Sequence, residues 1–373
     1  MATPRPRKRR SALGPSTLGV HGGAEDAVVG QPIVPPIVQS STFVGGFPDD
    51  DGELRYSRYG NNPNQLQVGR KLAALEGTED ALVLSSGMAA VAMAILALTR
   101  AGDHVVASEH LYGATRILLR DELPRRGIEV SFVDPGAPRE WRRALRPTTR
   151  LVYLEAPTNP TLRVFDPRPL AAMAHDAGLV FAMDATFASP VNLRPVELGV
   201  DVVIHSATKY LGGHSDLIAG VVASTRGVIE EVTRVMRLYG PAPDPLACWL
   251  LDRGLRTLDV RVSRQNANAL DLARWLEGRP EVARVIHPGL ESHPDHAVAA
   301  AIFEGFGGML SLVVHGGDDA AREVMERFQL IAVAPSLGGV ESLASMPRYT
   351  SHVALTRDQR LAAGIADGFL RLS

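Results

Sequence analysis

The sequence predicts an α/β fold, in which helices cover both faces of a mainly parallel sheet. Short apolar segments alternate with helical segments from about residue 64 to residue 204, the order that produces such a sheet. Hydrophobic residues make up 45% of the 373-residue chain, enough material for a large core. The length allows a large domain with a smaller domain attached to it.

The strands are predicted from short apolar runs that are bounded by polar residues. They are Ala81–Leu84, His104–Ala107, Ile128–Val133, Leu151–Leu154, Leu179–Met183 and Val200–Ile204. The helices between them are predicted from apolar positions that recur every three or four residues. They cover residues 64–76, Met88–Leu98, Thr115–Leu123 and Leu170–Ala177.

The chain changes character on either side of this region. Residues 1–10 carry five positive side chains, and residues 11–55 are rich in Gly, Pro, Ser and Thr, as in an extended arm. After about residue 226, long helical stretches precede a few strands such as Met309–Val314. We therefore expect a basic tail and extended arm over 1–55, a large domain over 56–235 and a small α+β domain over 236–373.

Composition excludes several classes of protein. The net charge is −2, and it falls to −7 once the five charges of the tail are set aside, so the body is not expected to bind nucleic acid. Cys248 is the only cysteine, which rules out an intrachain disulfide and a cysteine-based metal cluster. No apolar run reaches the ~18 residues of a membrane helix, and no secretory signal is evident. We expect a cytoplasmic protein without a metal site.

Only three lysines occur, Lys8, Lys71 and Lys209, in a chain that otherwise uses arginine. Arginine stays protonated and cannot act as an amine nucleophile, so a position that must remain lysine is a candidate for covalent chemistry. Lys8 belongs to the basic tail, and Lys71 points away from an apolar helical stripe, as a surface lysine does. Lys209 follows an apolar strand and begins a polar loop, where ligands bind in open α/β sheets.

Three more segments place polar groups at strand ends. Ser85–Met88 lies between a strand and a helix, where backbone amides can bind an anion; a plain turn is an equal alternative. Asp184 ends an apolar strand and needs a partner, either a protonated ring nitrogen or a neighbouring helix that it caps. Glu155–Pro160 contains Asn159, a donor for a phenolate-like oxygen, although a polar loop between prolines is the simpler interpretation.

Taken together, an anion site, an acid and a lysine at sheet ends match the needs of pyridoxal phosphate (PLP). This cofactor requires a phosphate cup, a carboxylate at its ring nitrogen and a lysine that binds it covalently. Ser206 and Thr208, which flank the lysine, supply hydroxyl groups for the cup.

The segment Ser206-Ala-Thr-Lys-Tyr-Leu-Gly-Gly-His214 then identifies a resemblance. From about residue 17 onward the chain resembles the Cys/Met-metabolism family of fold-type-I PLP enzymes, which includes cystathionine γ-lyase, cystathionine β-lyase, cystathionine γ-synthase and methionine γ-lyase. The resemblance implies a seven-stranded sheet, with 56–235 as the PLP-binding domain.

The resemblance also implies roles for individual residues. Lys209 would bind the cofactor covalently, Asp184 would hold its ring nitrogen, and Tyr112 would stack on the ring and transfer a proton at the leaving group. Other cofactor contacts are implied for Ser86, Gly87, Met88, Asn159, Thr186, Ser206 and Thr208. Substrate carboxylate binding is implied for Asn159, Ser336 and Arg371, since an arginine fork suits a carboxylate.

Tyr56 and Arg58 match family residues that reach the cofactor phosphate of a neighbouring subunit, which implies a homotetramer with the early arm as a clasp between subunits. The loop Tyr56–Asn64 is one residue longer than the family pattern and lacks its threonine. Ala185 stands where the family commonly has asparagine, which removes an amide near the cofactor.

Two positions bear on the reaction. Pro335 replaces a glutamate common in cystathionine-processing members, and Ala114 replaces the reactive cysteine of methionine γ-lyase. Pro335 favours γ-elimination from a methionine-like or cystathionine substrate, giving a 2-oxo acid, ammonia and a thiol. The alternative is γ-replacement, as in cystathionine γ-synthase or an O-acylhomoserine sulfhydrylase. A non-catalytic scaffold whose basic tail binds an acidic partner is disfavoured because Lys209, Asp184, Tyr112 and Arg371 occur together.

Overall fold

The computed structural model describes residues 13–24, 28–45, 54–353 and 355–373. The predicted basic tail, with Lys8, therefore lies outside the described residues. Seven strands form the larger sheet, in the order β1-β7-β6-β5-β4-β2-β3. These strands are β1 Asp80–Leu84, β2 His104–Ser108, β3 Glu129–Val133, β4 Thr149–Glu155, β5 Val180–Asp184, β6 Val202–Ser206 and β7 Gly220–Ser224.

The larger sheet is parallel except for one strand. β7 runs antiparallel to both of its neighbours, β1 and β6, and the other pairs are parallel. The mainly parallel, seven-stranded sheet implied by the sequence is confirmed. Six of the seven strands are predicted from apolar runs, and β7 is the one that is not. Its sequence, Gly220-Val-Val-Ala-Ser224, is nevertheless such a run and is fully buried.

The helices pack on both faces of this sheet or follow it along the chain. They are α1 Pro15–His21, α2 Pro63–Glu76, α3 Gly87–Leu98, α4 Gly113–Ile117, a π-helical turn Leu118–Glu122, α5 Leu123–Arg125, α6 Pro138–Ala144, α7 Arg168–Asp176, α8 Ser189–Asn192, α9 Arg226–Tyr239, α10 Pro245–Leu255, α11 Leu258–Glu277, α12 His296–Ile302, α13 Gly317–Glu326 and α14 Arg357–Ala362. Short 3-10 turns occur at Ser57–Tyr59, Pro195–Leu198 and Pro347–Tyr349.

Alternate residues of the strands enter two separate cores. Val203 packs with residues of α2, α7 and α10, whereas its neighbour Ile204 packs with residues of α3 and α9 on the opposite face. This division follows from the pleat, which points successive side chains to opposite faces. The expected helical cover of both faces is therefore confirmed.

A second, five-stranded sheet follows in the order β10-β11-β12-β9-β8. Its strands are β8 Val282–Ile286, β9 Leu310–Val314, β10 Ala332–Val333, β11 Leu343–Ser345 and β12 Phe369–Leu372. The predicted domain boundary between residues 235 and 236 lies inside α9, whose Val232, Val235 and Met236 pack on the larger sheet. The division into domains stays a prediction. Among the described residues, no helix combines the length and apolar character needed to cross a bilayer.

The first described residues differ from the expected extended arm. Residues 15–21 form α1, which packs against α2 and α11, whereas residues 28–45 contain no helix and carry exposed apolar side chains, including those of Val29, Ile33 and Val44. Pro15 at the first turn favours the helix start because its missing N–H needs no partner there.

The interpretation of Lys71 as a surface lysine is wrong. Its side chain is 1% exposed, and its Nζ lies 2.5 Å from Oδ1 of Asp252 on α10. Arg256 also pairs with Asp252, at 3.1 Å. Helix α10 covers the polar face of α2, which the periodicity of α2 alone does not reveal. Burial lowers the pKa of Lys71, and the Asp252 carboxylate opposes that shift.

We predict that Asp252→Leu lowers the free energy of unfolding by about 3–5 kcal/mol, because it leaves the Lys71 ammonium buried without its partner. The double variant Lys71→Met/Asp252→Leu is expected to recover most of this loss, since neither charge remains. Urea denaturation of the purified variants measures the loss in the single variant and the recovery in the double variant. Arg70→Met, which removes an exposed charge from the same helix, is the control. Equal stability of the single and double variants would contradict the assignment.

Candidate active site

A cavity of about 720 Å³ opens at the carboxyl ends of the parallel strands. Its other side is formed by residues of the second sheet, which follow β10 or lie on β12. Twelve of the predicted site residues line it: Ser86, Gly87, Met88, Tyr112, Asn159, Asp184, Thr186, Ser206, Thr208, Lys209, Ser336 and Arg371. They come from distant parts of the sequence. The parallel direction of the strands brings their loops to one edge, as expected for an open α/β sheet.

The amino terminus of α3 forms one wall of the cavity. Ser86 caps this helix, since its Oγ accepts a hydrogen bond from Ala89 N at 3.0 Å. The first N–H groups of a helix lack intrahelical partners, so those of Gly87 and Met88 are suited to an anion. A Cβ on residue 87 would lie 2.6 Å from Cβ of Ser206, so only glycine allows this close approach.

Asp184 ends β5 with only 9% of its surface exposed. Its Oδ1 accepts a hydrogen bond from Thr186 N at 2.9 Å, and Thr186 Oγ1 accepts one from Ser206 N at 2.8 Å. Asp184 therefore closes a local turn and caps no helix, which removes one of the two interpretations of this residue. Burial raises the pKa of the Asp184 carboxyl, and the bonds from Thr186 oppose that rise.

Lys209 lies in the loop after β6, and its Nζ donates a hydrogen bond to Ser336 Oγ at 2.8 Å. Burial, and secondarily the positive charge of Arg371, lower the pKa of Lys209 to about 8. With a pKa of about 8, about a tenth of this amine is uncharged at pH 7. An uncharged amine is the form that attacks a carbonyl.

Arg371 lies on β12 with 5% of its surface exposed. Its Nη1 donates to Asn159 Oδ1 at 3.0 Å and its Nη2 donates to the carbonyl of Ser336 at 2.9 Å. Among the described residues, its buried Nε has no hydrogen-bond partner. Burial lowers its pKa to about 10, so the guanidinium is still charged at neutral pH and can bind a carboxylate.

Tyr112 stands at the start of α4 with 41% of its surface exposed, so its ring is accessible from the cavity. Its backbone N–H donates to Oε2 of Glu155 at 2.6 Å. Glu155 was not assigned a role from the sequence, although it is a carboxylate at a buried strand end, as Asp184 is. Tyr349, Thr350 and Ser351 also line the cavity, and no sequence signal indicated them.

Tyr56 and Arg58 lie outside the cavity. The exposed Arg58 guanidinium stands over the rings of Tyr56 and Tyr59 at 5.5 and 5.1 Å, and its Nη1 donates to the carbonyl of Arg237 at 2.6 Å. The next residues, which depart from the family pattern, form a capping box in which Asn62 and Gln65 satisfy the first turn of α2. The loop Tyr56–Asn64, which departs from the family pattern, therefore helps to start helix α2.

The residues present fit pyridoxal phosphate. The cavity contains the amine of Lys209, the buried carboxyl group of Asp184 and the buried guanidinium of Arg371, whose Nε has no hydrogen-bond partner among the described residues. It also contains the amino terminus of α3, which can lie close to Ser206 because residue 87 is glycine. These are the groups that hold this cofactor and orient an amino acid beside it. The fold and the cavity define a PLP-dependent α/β enzyme.

Comparison with known proteins defines the family. Residues 16–373 match a protein family that is described as "Cys/Met metabolism PLP-dependent enzyme". An L-methionine gamma-lyase of Porphyromonas gingivalis is 40% identical over 369 residues, which cover 96% of this chain and 92% of the relative. A cystathionine gamma-lyase of Bacillus subtilis is 38% identical over 358 residues, covering 96% and 94%. The crystal structure of metB from Corynebacterium glutamicum superimposes with a TM-score of 0.90 at 37% identity, covering 97% of this chain and 93% of that one. The chain belongs to the Cys/Met-metabolism family of PLP-dependent enzymes.

We predict that the apoprotein reacts with PLP faster as pH rises and that the rate levels off above about 8, the pKa of Lys209, because only the uncharged amine attacks. Absorbance measured after mixing follows the reaction. Arg371→Met should raise the pH at which the rate is half-maximal, since it removes a positive charge near Lys209. Arg371→Lys keeps the charge and should leave that pH nearly unchanged. Borohydride reduction and peptide mapping should find the cofactor on Lys209; an adduct on Lys71 or Lys8 instead would overturn the assignment.

Proposed function

We propose that this enzyme catalyses γ-elimination from a sulfur amino acid of the methionine or cystathionine type, releasing a 2-oxo acid, ammonia and a thiol. The observation that carries the proposal is the Lys209 amine, half-buried near Arg371 in the same cavity as Tyr112 and Asp184. The similarity to an L-methionine gamma-lyase and a cystathionine gamma-lyase supports the reaction class.

Pyridoxal phosphate, when bound, withdraws electrons from the substrate and so makes its Cα proton acidic. Gly87 and Met88 would bind the phosphate through their backbone amides, together with the hydroxyl groups of Ser86, Ser206 and Thr208. Asp184 would hold a proton on the ring nitrogen, since its carboxylate is buried at that edge of the sheet. Asn159 and Thr186 would complete the contacts.

Arg371 binds the α-carboxylate of the substrate in this proposal, assisted by Asn159 and Ser336. Because both of these residues already bond to the Arg371 guanidinium, the fork is held in place before substrate arrives. A fixed fork limits the entropy lost on binding. It also presents the substrate's Cα to the amine of Lys209.

Lys209 Nζ accepts the Cα proton, since its lowered pKa leaves part of the amine uncharged. Lys209 has to release this proton elsewhere in the bound complex before the same amine can accept the second proton, from Cβ. Tyr112 donates a proton to the departing sulfur. Proton transfer by positioned groups of this kind typically contributes about 10²–10⁴-fold to a rate.

Pro335 favours elimination over the alternative of γ-replacement by a thiol. It lines the cavity beside Ser336, where an apolar side chain suits the methyl thioether of methionine and offers nothing to a distal amino group. Ala114, the second position that bears on the reaction, is not among the residues that line the cavity. Elimination and replacement use the same catalytic residues, so substrate turnover decides between them.

The substrate prediction is tested with methionine, with cystathionine and with an O-acylhomoserine plus cysteine. We expect 2-oxobutyrate and ammonia from the thioethers, and little condensed product. Pro335→Glu should raise kcat/KM for cystathionine relative to methionine, because a carboxylate can then meet the distal ammonium group. Pro335→Gln, which adds the same bulk without charge, is the control. Condensed product with no 2-oxobutyrate from either thioether would establish the transferase alternative.

We also propose that the enzyme is a homotetramer in which Tyr56 and Arg58 complete the cofactor site of a neighbouring subunit. Two features support this: both residues lie outside their own subunit's cavity, and the segment 28–45 carries exposed apolar side chains suited to an interface. The predicted cytoplasmic location stays a prediction.

Mixing two inactive variants tests this arrangement. Arg58→Ala and Lys209→Ala subunits, unfolded and refolded together, should regain activity, because hybrid assemblies contain sites with an intact Lys209 and an intact Arg58 from different chains. Refolding each variant alone is the control, with mass measured by light scattering. If Arg58 served its own subunit, the mixture would stay inactive.

A further inference from the structure

Glu155 is a buried carboxyl group of the cavity for which the proposed reaction has no use. It ends β4 with 5% of its surface exposed. Its Oε2 accepts a hydrogen bond from Tyr112 N at 2.6 Å, and the backbone N–H of Asn159 donates to the same carboxyl group. Glu155 therefore joins two loops that reach the cavity from different strands.

The position of β4 in the sheet makes this link informative. β4 lies between β2, which leads to Tyr112, and β5, which ends at Asp184. Glu155 and Asp184 are directly paired in the register of β4 and β5. One carboxyl group thus stands between the proposed proton donor at the leaving group and the proposed partner of the ring nitrogen.

Two neighbouring buried carboxyl groups are unfavourable when both are charged. Burial, and then the charge of Asp184, raise the pKa of Glu155 well above its ordinary value, although the hydrogen bonds from the backbone N–H groups of Tyr112 and Asn159 oppose the rise. For Asp184 the rise is opposed by its bonds from Thr186 and by His205. The larger rise in pKa falls on Glu155, so Glu155 is the more readily protonated of the two carboxyl groups.

We infer that Glu155 is a positioning residue: as an uncharged carboxyl group it fixes the Tyr112 loop against the Asn159 loop, and it leaves Asp184 as the charged carboxylate of the site. This inference rests on the roles proposed above for Tyr112 and Asp184. Glutamine has the same shape, is uncharged and keeps a carbonyl oxygen that accepts both N–H groups. Alanine provides no acceptor.

The experiment compares Glu155→Gln and Glu155→Ala in the PLP-loaded enzyme, with Glu109→Gln, an exposed acid three residues before Tyr112, as control. Glu155→Ala is expected to lower kcat by about 10²-fold with little change in KM, because a displaced Tyr112 affects proton transfer more than substrate binding. Glu155→Gln should recover most of that loss. Thermal unfolding of each variant verifies that it is folded.

A spectroscopic titration gives a readout that is independent of turnover. The pH at which the absorption band of the bound cofactor changes should be the same in Glu155→Gln and in the unsubstituted enzyme, because neither has a charge at residue 155. A decrease of that midpoint by about one pH unit or more would show that Glu155 is ionised and would overturn the inference. This titration needs no assigned substrate, so it also separates a failure of the inference from a failure of the proposed reaction.

A double variant tests whether Glu155 acts through Tyr112. Tyr112→Phe keeps the backbone N–H and removes the hydroxyl, so adding Glu155→Ala to it should cost far less in kcat than Glu155→Ala alone. Full additivity of the two substitutions would mean that Glu155 acts elsewhere, which would also overturn the inference. If Glu155→Ala does not fold, equal losses in Glu155→Gln and Tyr112→Phe would likewise contradict an uncharged positioning role.

Discussion

The hydrogen bond between Lys209 and Ser336 is the contact on which the active site depends. Lys209 follows a strand of the seven-stranded sheet, whereas Ser336 lies between β10 and β11 of the five-stranded sheet. The amine is half-buried where Ser336 contacts it, and this burial is the main reason that its pKa falls to about 8. The covering segment is held in turn by Arg371, which bonds to the Ser336 carbonyl and to Asn159 in the loop after β4. The amine of Lys209 and the guanidinium of Arg371 are therefore linked through Ser336, which follows a strand of the second sheet.

Two buried pairs of ionisable groups show how such side chains are accommodated in the described part of the chain. Lys71 pairs with Asp252 between α2 and α10, and His205, on the strand that leads to Lys209, bonds through Nε2 to Glu76 Oε1 at 2.6 Å. Removing one member of such a pair is far more costly than removing both. Glu155 and Asp184 are the exception, because they are two acids side by side. Protonation of one resolves that conflict, which gives the site a single charged carboxylate.

Sequence reasoning was most successful where chemistry and periodicity coincide. Lys209 and Asp184 stand directly after apolar strands, and parallel strands bring such ends to one edge of a sheet, so their meeting in one cavity could be predicted. It failed where a second element decides the environment. Lys71 was interpreted as exposed because the periodicity of α2 shows which face is apolar and cannot show that α10 covers the other face. Strand β7 is not among the predicted strands, although its residues form an apolar run. Helix α1 is not predicted either, because it lies in a segment rich in glycine and proline.

The sequence by itself determined the α/β class, the cofactor and most of the residues that line the cavity, since these follow from residue types at fixed places relative to strand ends and from the motif around Lys209. The tertiary structure alone decided the electrostatic state of those residues. A pKa depends on burial and on neighbouring charges, and both arise from contacts between distant segments, such as Lys209 with Arg371 or Glu155 with Asp184. The position of Glu155 beside Asp184 and that of residues 349–351 in the cavity wall are of this kind, because no local pattern encodes what packs beside them.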